Sequence, residues 1–473
     1  MTKAFEESLS LFKDKISDCI KSKKSISITT HIDCDGLTSG SIIGKALIRE
    51  GARFTIRTSK EFSKNVVESF KTDSRDFHII TDLGGGFGKD LNQTLGDNWI
   101  ILDHHQISEE EKDNQNIINS WKYGIDGGSE ICAGGMAYFA AMALDEKNSD
   151  LSEIAVVSAL GDRQDQGDRK SFTGKNFEIA NTAKELGLVE MDLDLLLVGR
   201  ETRPLAEAIA FTSQPFIEGL TWNKETSLSI LKSSGIKLKE EGRWRVPAEL
   251  NEEEKKLVIK AITDFSPDKN TTEVMSELIG YTYTFPKEDK RSFLRDGREY
   301  STMLNSCGRI NRSGVGMAIC MGDRNQVLTE GEGILTDYRK KIKEYMNVLS
   351  NERWRISENE NCIMVNGEDI VPETMTGTIS SLIAGSPKNT GKIVILRTRG
   401  EANTIKFSSR KSFGCKSKIN LSELMRTGAE KFDGIGGGHN AAAGAKITKD
   451  KLDEFLKYLE LNVVNVPSSS DHQ

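Results

Sequence analysis

The chain has 473 residues, a formal net charge of -7, and 29% charged against 37% hydrophobic residues. That length exceeds one ordinary core and implies two or three domains; the negative balance argues against gripping long duplex DNA by charge alone, while leaving a local basic groove open. The apolar runs, such as 154–160, reach about seven residues against roughly 20 for a membrane span, and MTKAFEESLSLFKDK has acids where a signal peptide has its apolar core, so a cytoplasmic protein without membrane contact is expected.

In chain order, the N-terminus reads as a helix, and the β-rich run Ser25 to Thr30 feeds the loop HIDCDG. Strand and helix patterns then alternate: a helix over Leu37 to Glu50, a strand over Phe54 to Arg57, strands in HIITDL and WIILDH, and helices from Ser129 to Leu144 and from Leu151. This rhythm predicts an α/β domain with a parallel, helix-covered sheet, whose functional loops lie at the carboxyl ends of the strands. No proline precedes Pro204, whereas Pro204, Pro215, Pro247, Pro267 and Pro286 crowd the middle, which sets a boundary near residue 200. The middle holds the charged helical pattern PAELNEEEKKLVIKAITDF, a strand in ELIGYTYTF and the small-residue run NSCGRINRSGVGMAICMG, none of which points to chemistry. A charged connecting helix over Leu335 to Asn351 leads to a smaller α/β region, where KIVILRTR and NTIKFSSR pair as strands and INLSELMRTGAEKF forms a helix before DGIGGGHNAAAGAKI. The expected domains are 1–200, 205–330, a connecting segment 331–360, 361–465 and a disordered tail 466–473. Seven scattered cysteines (Cys19, Cys34, Cys132, Cys307, Cys320, Cys362 and Cys415), with no CxxC pair, are expected to be reduced and free of structural zinc.

Acids and histidines gather at the predicted strand ends. His31, Asp33 and Asp35 follow the first strand, Asp82 ends HIITDL, and Asp103, His104 and His105 end WIILDH. ALGDRQDQGD adds Asp162, Asp165 and Asp168 after a hydrophobic segment. In a parallel sheet these ends meet on one edge, and the pocket so formed has no matching set of basic side chains. Close carboxylates cannot all stay ionised unless cations accompany them. Divalent metal resolves the conflict: Asp and His ligands suit manganese, or magnesium with more water. Two ions about 3.5 to 4 Å apart and sharing a carboxylate would activate a water and hold a phosphoryl oxygen.

Taken singly, each piece has a plain structural reading. An HxDxD loop can be a helix cap, Asp82 a strand terminator, and His104 with His105 one core and one surface histidine. Four independent ends with the same chemistry resist that reading; His78, at a strand start, and His472, in the tail, stand apart. Near the C-terminus GIGGGHNAAAG offers glycines whose amides can approach an anion, with His439 beside them. It follows a helix and does not open a βαβ unit, which argues against dinucleotide binding.

These residues carry a family likeness. HIDCDG, ITDLGGG, LDHHQ and GDRQD, in this order and spacing, resemble the four signature motifs of the DHH phosphoesterases. GGGHNAAAG resembles the signature of the DHH-associated C-terminal domain, and NTIKFSSR, ending in Arg410, is similar to the strand that supplies a substrate-binding arginine there. The leading histidine of HIDCDG, the form LDHHQ, the segment NSCGRINRSGVGMAICMGD and GGGHNAAAG look most like the archaeal RecJ-like nucleases.

The resemblance implies a parallel-sheet catalytic domain facing a smaller α/β domain across a cleft. It implies two divalent ions, Mn2+ ahead of Mg2+: His31, Asp33 and Asp82 on one, and Asp35, Asp82, His104 and Asp165 on the other. Asp165 is preferred to Asp162 because the family's ligand lies four residues after the glycine that matches Gly161. Asp82, His105 and Asp103 make up the implied catalytic set, with His105 facing the scissile phosphate and Asp103 orienting a histidine. Arg410, Gly436, Gly437, Gly438 and His439 would hold the nucleotide end. The implied activity is metal-dependent phosphodiester hydrolysis by a single-strand-specific exonuclease on DNA or RNA in replication or repair. GINS and the replicative helicase are the implied partners of residues 205–330, a long insert where the family usually has a short spacer. Two other readings stand beside it: a GINS-binding replication scaffold of the helicase-cofactor type with a vestigial site, which the intact motifs disfavour, and a phosphoesterase of oligoribonucleotides, cyclic dinucleotides or pyrophosphate.

Overall fold

SISITT, FHIIT and WIIL carry apolar or β-branched residues on both sides of the chain, the pattern of strands covered on both faces. In the computed structural model, which describes residues 2–265 and 271–464, they become the inner strands of a parallel sheet. Its strands are β1 (Ser25–His31), β2 (Arg53–Ser59), β3 (Phe77–Thr81), β4 (Trp99–Asp103) and β5 (Ile117–Asn119), in the order β2-β1-β3-β4-β5. From β1 the chain moves outward to β2, and from β3 it moves outward the other way to β4. The connections therefore diverge at the carboxyl ends of β1 and β3, and that divergence opens a crevice.

Helix α1 (Lys3–Lys21) buries Phe5, Leu9, Phe12, Ile16 and Cys19, one face at three- and four-residue spacing. Helix α2 (Cys34–Arg49) is buried on almost every side, because the helices Ala133–Leu144, Ser152–Gly161, Gly297–Arg309 and Ser313–Cys320 pack around it. Its run of Gly, Ser and Thr lets those neighbours approach. At Gly40 a Cβ would come within 2.9 Å of the Thr30 methyl, so α2 lies directly on β1.

The middle of the chain leaves and rejoins this body at one place. Strand Glu190–Leu195 pairs antiparallel with Ile279–Thr284, Leu195 facing Ile279, and the Leu196 amide donates to the Leu278 carbonyl at 2.8 Å. Between them lies a separate apolar core that includes Leu205, Ile209, Leu220, Leu231, Val258 and Ile262. Residues 297–320, which the sequence places in the segment 205–330, instead pack on α2.

The chain divides into two units between Leu335 and Thr336, within the helix Gln326–Asn351. The second unit has a mixed six-stranded sheet, ordered Ile356–Glu358, Cys362–Asn366, Ile393–Arg399, Thr404–Lys411, Ala442–Thr448 and Ile435–His439. KIVILRTR and NTIKFSSR pair antiparallel, and helix Leu421–Lys431 buries Leu424, Met425 and Ala429 with Phe407 and Phe455 of the same core. All seven cysteines are unpaired, and the expected tail 466–473 lies outside the described residues.

Candidate functional site

The turn from β1 into α2 is shaped by its own residues. Asp33 caps the helix, accepting the Gly36 amide at 3.1 Å. A Cβ on Gly36 would sit 2.4 Å from the His31 carbonyl oxygen, so only glycine lets the first helical turn fold back onto the strand end. This places His31 and Asp33 on the rim and buries Asp35. Asp82 follows β3 at φ 62°, in the left-handed region that costs a non-glycine residue energy and concentrates at functional positions.

Asp82 joins two groups of donors. One of its carboxylate oxygens lies 3.6 Å from His31 Nδ1, and the other lies 3.3 Å from His104 Nε2. His31 Nδ1 is also 3.0 Å from Asp33, and His104 Nε2 is 3.3 Å from Asp35. His104 Nδ1 is 2.6 Å from the Gly127 carbonyl, a contact that places a proton on Nδ1 and aims Nε2 at Asp35 and Asp82. Asp35 accepts the Ala133 and Gly134 amides at 2.8 Å each, at the start of the helix Ala133–Leu144, and the Ser158 hydroxyl. Three overlapping sets that could hold metal result: His31, Asp33 and Asp82; Asp35, His104 and Asp162; and Asp82, Asp103, His104 and His105, with the donor atoms of each set within 4.8 Å of one another.

Asp103 has a different task. Its carboxylate accepts the amides of His104, His105 and Gly85 and the Nδ1 proton of His105 at 2.8 Å. The histidine it orients is therefore His105, whose half-exposed ring stacks beside His104 with centroids 4.4 Å apart.

The electrostatics record a surplus of buried negative charge. Burial and the neighbouring Asp82 push the Asp35 carboxyl up to about 7. Burial opposes charge on His31 and His104, but Asp33 outweighs it at His31, and Asp162, Asp82 and Asp35 outweigh it at His104, so both imidazoles sit well above their ordinary pKa. Desolvation likewise resists ionisation of Asp33 and Asp103, yet His31 and His105 hold the two carboxyls below the usual range, with Arg309 adding to the effect at Asp33. A site whose acids raise one another and protonate its own histidines has the donor chemistry of a divalent-cation site.

One expected ligand is placed elsewhere. Asp165 does not reach this cluster; its Oδ2 accepts Arg298 Nη2 at 2.7 Å and Nε at 3.2 Å. Asp162 lies nearer the cluster, 3.8 Å from His104 Nδ1 and steadied by the buried Gln164 amide at 2.7 Å. The reason is local: helix Ser152–Gly161 ends at the site, Asp162 caps it, and Arg163 at φ 57° reverses the chain so that the next acid points away. Gln164 also donates to the Gly127 carbonyl that holds His104, tying two donors through one side chain.

Helix Gly297–Arg309 contributes residues that the sequence left without a role. Asn305 accepts the Cys34 amide at 3.1 Å, and at Gly308 a Cβ would overlap the Ile32 carbonyl, so the helix braces the β1–α2 turn by backbone contact. The run NSCGRINRSG signalled this through its small residues, but nothing in the sequence said what they approach.

In the second unit, Arg410 lies at the end of strand Thr404–Lys411, its Nε donating to Ser381 at 3.1 Å and its Nη1 to the Ser409 carbonyl at 2.8 Å. Gly436, Gly437, Gly438 and His439 form the outermost strand of the sheet, with Ala442 facing both Arg410 and His439 across its two sides. The glycines thus present an edge of backbone to solvent.

Family models match three parts of the chain: the DHH family N-terminal domain over residues 25–161, the DHH-CID domain over 197–278, and the DHHA1 domain over 362–465. An uncharacterized protein of Methanocaldococcus jannaschii is 29% identical over 461 residues, which cover 94% of this chain and 96% of that one. The crystal structure of RecJ from Thermus thermophilus in complex with Mn2+ is similar with a TM-score of 0.60 at 15% identity over 98% of this chain, which spans only 55% of that protein. CDC45 from Entamoeba histolytica is similar with a TM-score of 0.62 at 14% identity, covering 97% of this chain and 98% of that one. At such identities the structural likeness is one of fold. Among the described residues no helix is long and apolar enough to cross a membrane. The chain thus carries a DHH family N-terminal domain, a DHH-CID domain and a DHHA1 domain, and its fold is that of RecJ and CDC45.

Proposed function

We propose that the protein is a metal-dependent phosphodiester hydrolase that shortens single-stranded DNA or RNA from an end. The observation that carries this reading is Asp82, whose two carboxylate oxygens face His31 and His104 separately. His31, Asp33 and Asp82 would hold one divalent ion, and Asp35, Asp82, His104 and Asp162 a second, with Mn2+ favoured by the mixed oxygen and nitrogen donors. Bound there, the ions would supply Lewis-acid polarisation of the phosphoryl oxygens and a water acidified toward neutral pH.

The chain's own residues do the rest. His105, held at Nδ1 by Asp103, keeps Nε2 for a phosphoryl oxygen, and its raised pKa favours a proton there that stabilises developing negative charge. Arg410 supplies a guanidinium for a terminal phosphate, with the Gly436 to His439 edge beside it. A scaffold without activity is the alternative; both donor sets being intact favours the enzyme. A role in replication or repair, with the excursion 197–278 rather than the whole of 205–330 as the docking element for a partner such as GINS, belongs to the same proposal. The test is manganese-dependent digestion of end-labelled single-stranded DNA and RNA beside Asp82→Ala. Wild type should shorten at least one polymer and the variant neither; equal inertness of both would replace the enzyme with the scaffold.

A further inference from the structure

In the second unit, one stretch of chain sets basic residues before and after an aromatic ring held out in solvent. From Thr404 to Ser422 the chain has five basic residues and no acid, within a protein of net charge -7. Lys411 ends its strand opposite Ile393, its amide bonds the Ala441 carbonyl, and its Nζ reaches Asn440 at 2.7 Å and the Ser417 carbonyl at 3.1 Å. The loop after Lys411 thus stands at the same end as Arg410 and the His439 turn. Lys416 and Lys418 project from it, both exposed and without an ion-pair partner among the described residues.

Phe413 sits in this loop with 73% of its surface exposed. A single exposed apolar side chain is ordinary, but this one is not exposed by fraying. The Gly391 amide donates to the Phe413 carbonyl at 2.9 Å, the buried Ser412 exchanges hydrogen bonds with Lys392 at 2.8 and 2.9 Å, and the Cys415 amide closes onto Ser412 at 3.2 Å. The backbone is pinned on both sides of a ring that has been left bare. An exposed aromatic ring with exposed lysines three and five positions on in the same loop is a combination suited to binding single-stranded nucleic acid without reading its sequence.

We infer that Phe413, with Lys416 and Lys418, forms a nucleobase-stacking platform that takes a base of a single strand while the lysines take flanking phosphates. This rests on the single-strand reading above and extends it to a subsite apart from Arg410 and the glycine edge.

The test measures binding of the full chain to two labelled strands of equal length, oligothymidylate and the same backbone with abasic sugars, by fluorescence anisotropy. Ca2+ is the divalent ion, and strand integrity is checked on gels. Wild type should favour the base-bearing strand by roughly 5- to 150-fold, the range expected for one stacked base. Phe413→Ala should bind both strands alike, and Phe413→Trp should restore the preference. Lys416→Ala with Lys418→Ala should keep the preference and lower the slope of log K against log salt by about 1.4, some 0.7 per released contact on a single strand. Discrimination by Phe413→Ala equal to wild type would overturn the platform while leaving the single-strand reading in place. Failure of wild type to bind either strand would overturn both.

Discussion

The carboxyl edge of the five-stranded sheet and the Arg410 end of the six-stranded sheet are built from opposite chemistry. At the first, Asp35, Asp82, Asp103 and His104 are each only 2–3% exposed, and their charges are fixed by amides, carbonyls and one another. At the second, Lys416, Lys418 and His439 are exposed, and the glycine strand offers open backbone. Buried charge is costly unless compensated, so the acidic edge must be rigid and calls for cations. Exposed positive charge is cheap and adaptable. On the proposed function, precision is concentrated where bonds would break, and tolerance where a strand would slide.

The largest expected effects fall at the acidic edge. Asp162→Ala should lower manganese affinity and cleavage by at least about 100-fold, since even residues that only orient a ligand cost 10- to 100-fold. Asp165→Ala should leave metal binding nearly intact and instead loosen the fold by about 1.5 to 3 kcal/mol, the value of a hydrogen-bonded charge. Titration calorimetry with Mn2+ and thermal unfolding separate the two; the reverse pattern would return Asp165 to the ligand set. At the basic end, Arg410→Ala should raise KM roughly 10- to 100-fold with kcat almost unchanged, the mark of lost binding common to ground and transition states. An equal fall in kcat would mean that the two regions do not divide the work this way.

This contrast also explains what could be read in advance. The parallel sheet was legible because buried strands have continuous apolar runs, and His31, Asp33, Asp35, Asp82 and His104 were legible because strand ends in such a sheet converge. The choice between Asp162 and Asp165 was not, since it depends on one left-handed residue, Arg163, that no periodicity reports. Asn305 and Gly308 were hidden for another reason: their role is a contact with Cys34 and Ile32 across some 270 positions of sequence. The GGGH run is legible as a special backbone but not as an edge strand, because glycine-rich runs lack the side chains that announce one.

A smaller effect separates the regions by pH. In the metal-free protein Asp35 keeps its proton up to about 7, against 3.8 ordinarily, so between those values the native state holds a proton that the unfolded chain has released, and stability falls as pH rises. The raised pKa values of His31 and His104 extend the fall above 6.5. Asp33 and Asp103, held low, contribute stability that is lost only as pH drops through their folded values, at the acid end. The chelated protein should therefore melt at progressively lower temperature from about pH 5 to 8, and saturating Mn2+ should flatten the curve. A melting temperature of the chelated protein that rises across this range would contradict the surplus of negative charge at the acidic edge.

The smallest effect is expected from the largest deletion. Leu195 and Ile279 are register partners, and Leu196 bonds Leu278, so the chain leaves for the excursion and returns from it side by side. The excursion has its own apolar core. Joining Leu196 to Leu278 through Asn-Gly would supply the two-residue turn that a right-twisted antiparallel pair prefers. What is lost is contact with the remaining body, chiefly the Arg200 and Lys255 pairs with Asp194, the Glu201 amide and Thr202 hydroxyl on Glu299, and the Arg291 pair with Glu249. None of these touches the helix face that presents Asn305 and Gly308. The shortened protein should keep manganese binding and cleavage within about threefold of wild type, since interactions remote from the site and sharing no partners with it act independently, while any partner that docks on the excursion should no longer bind. If cleavage instead fell as far as in Asp162→Ala, the excursion would be part of the acidic edge, and the division between a rigid metal site and adaptable binding surfaces would have to be redrawn.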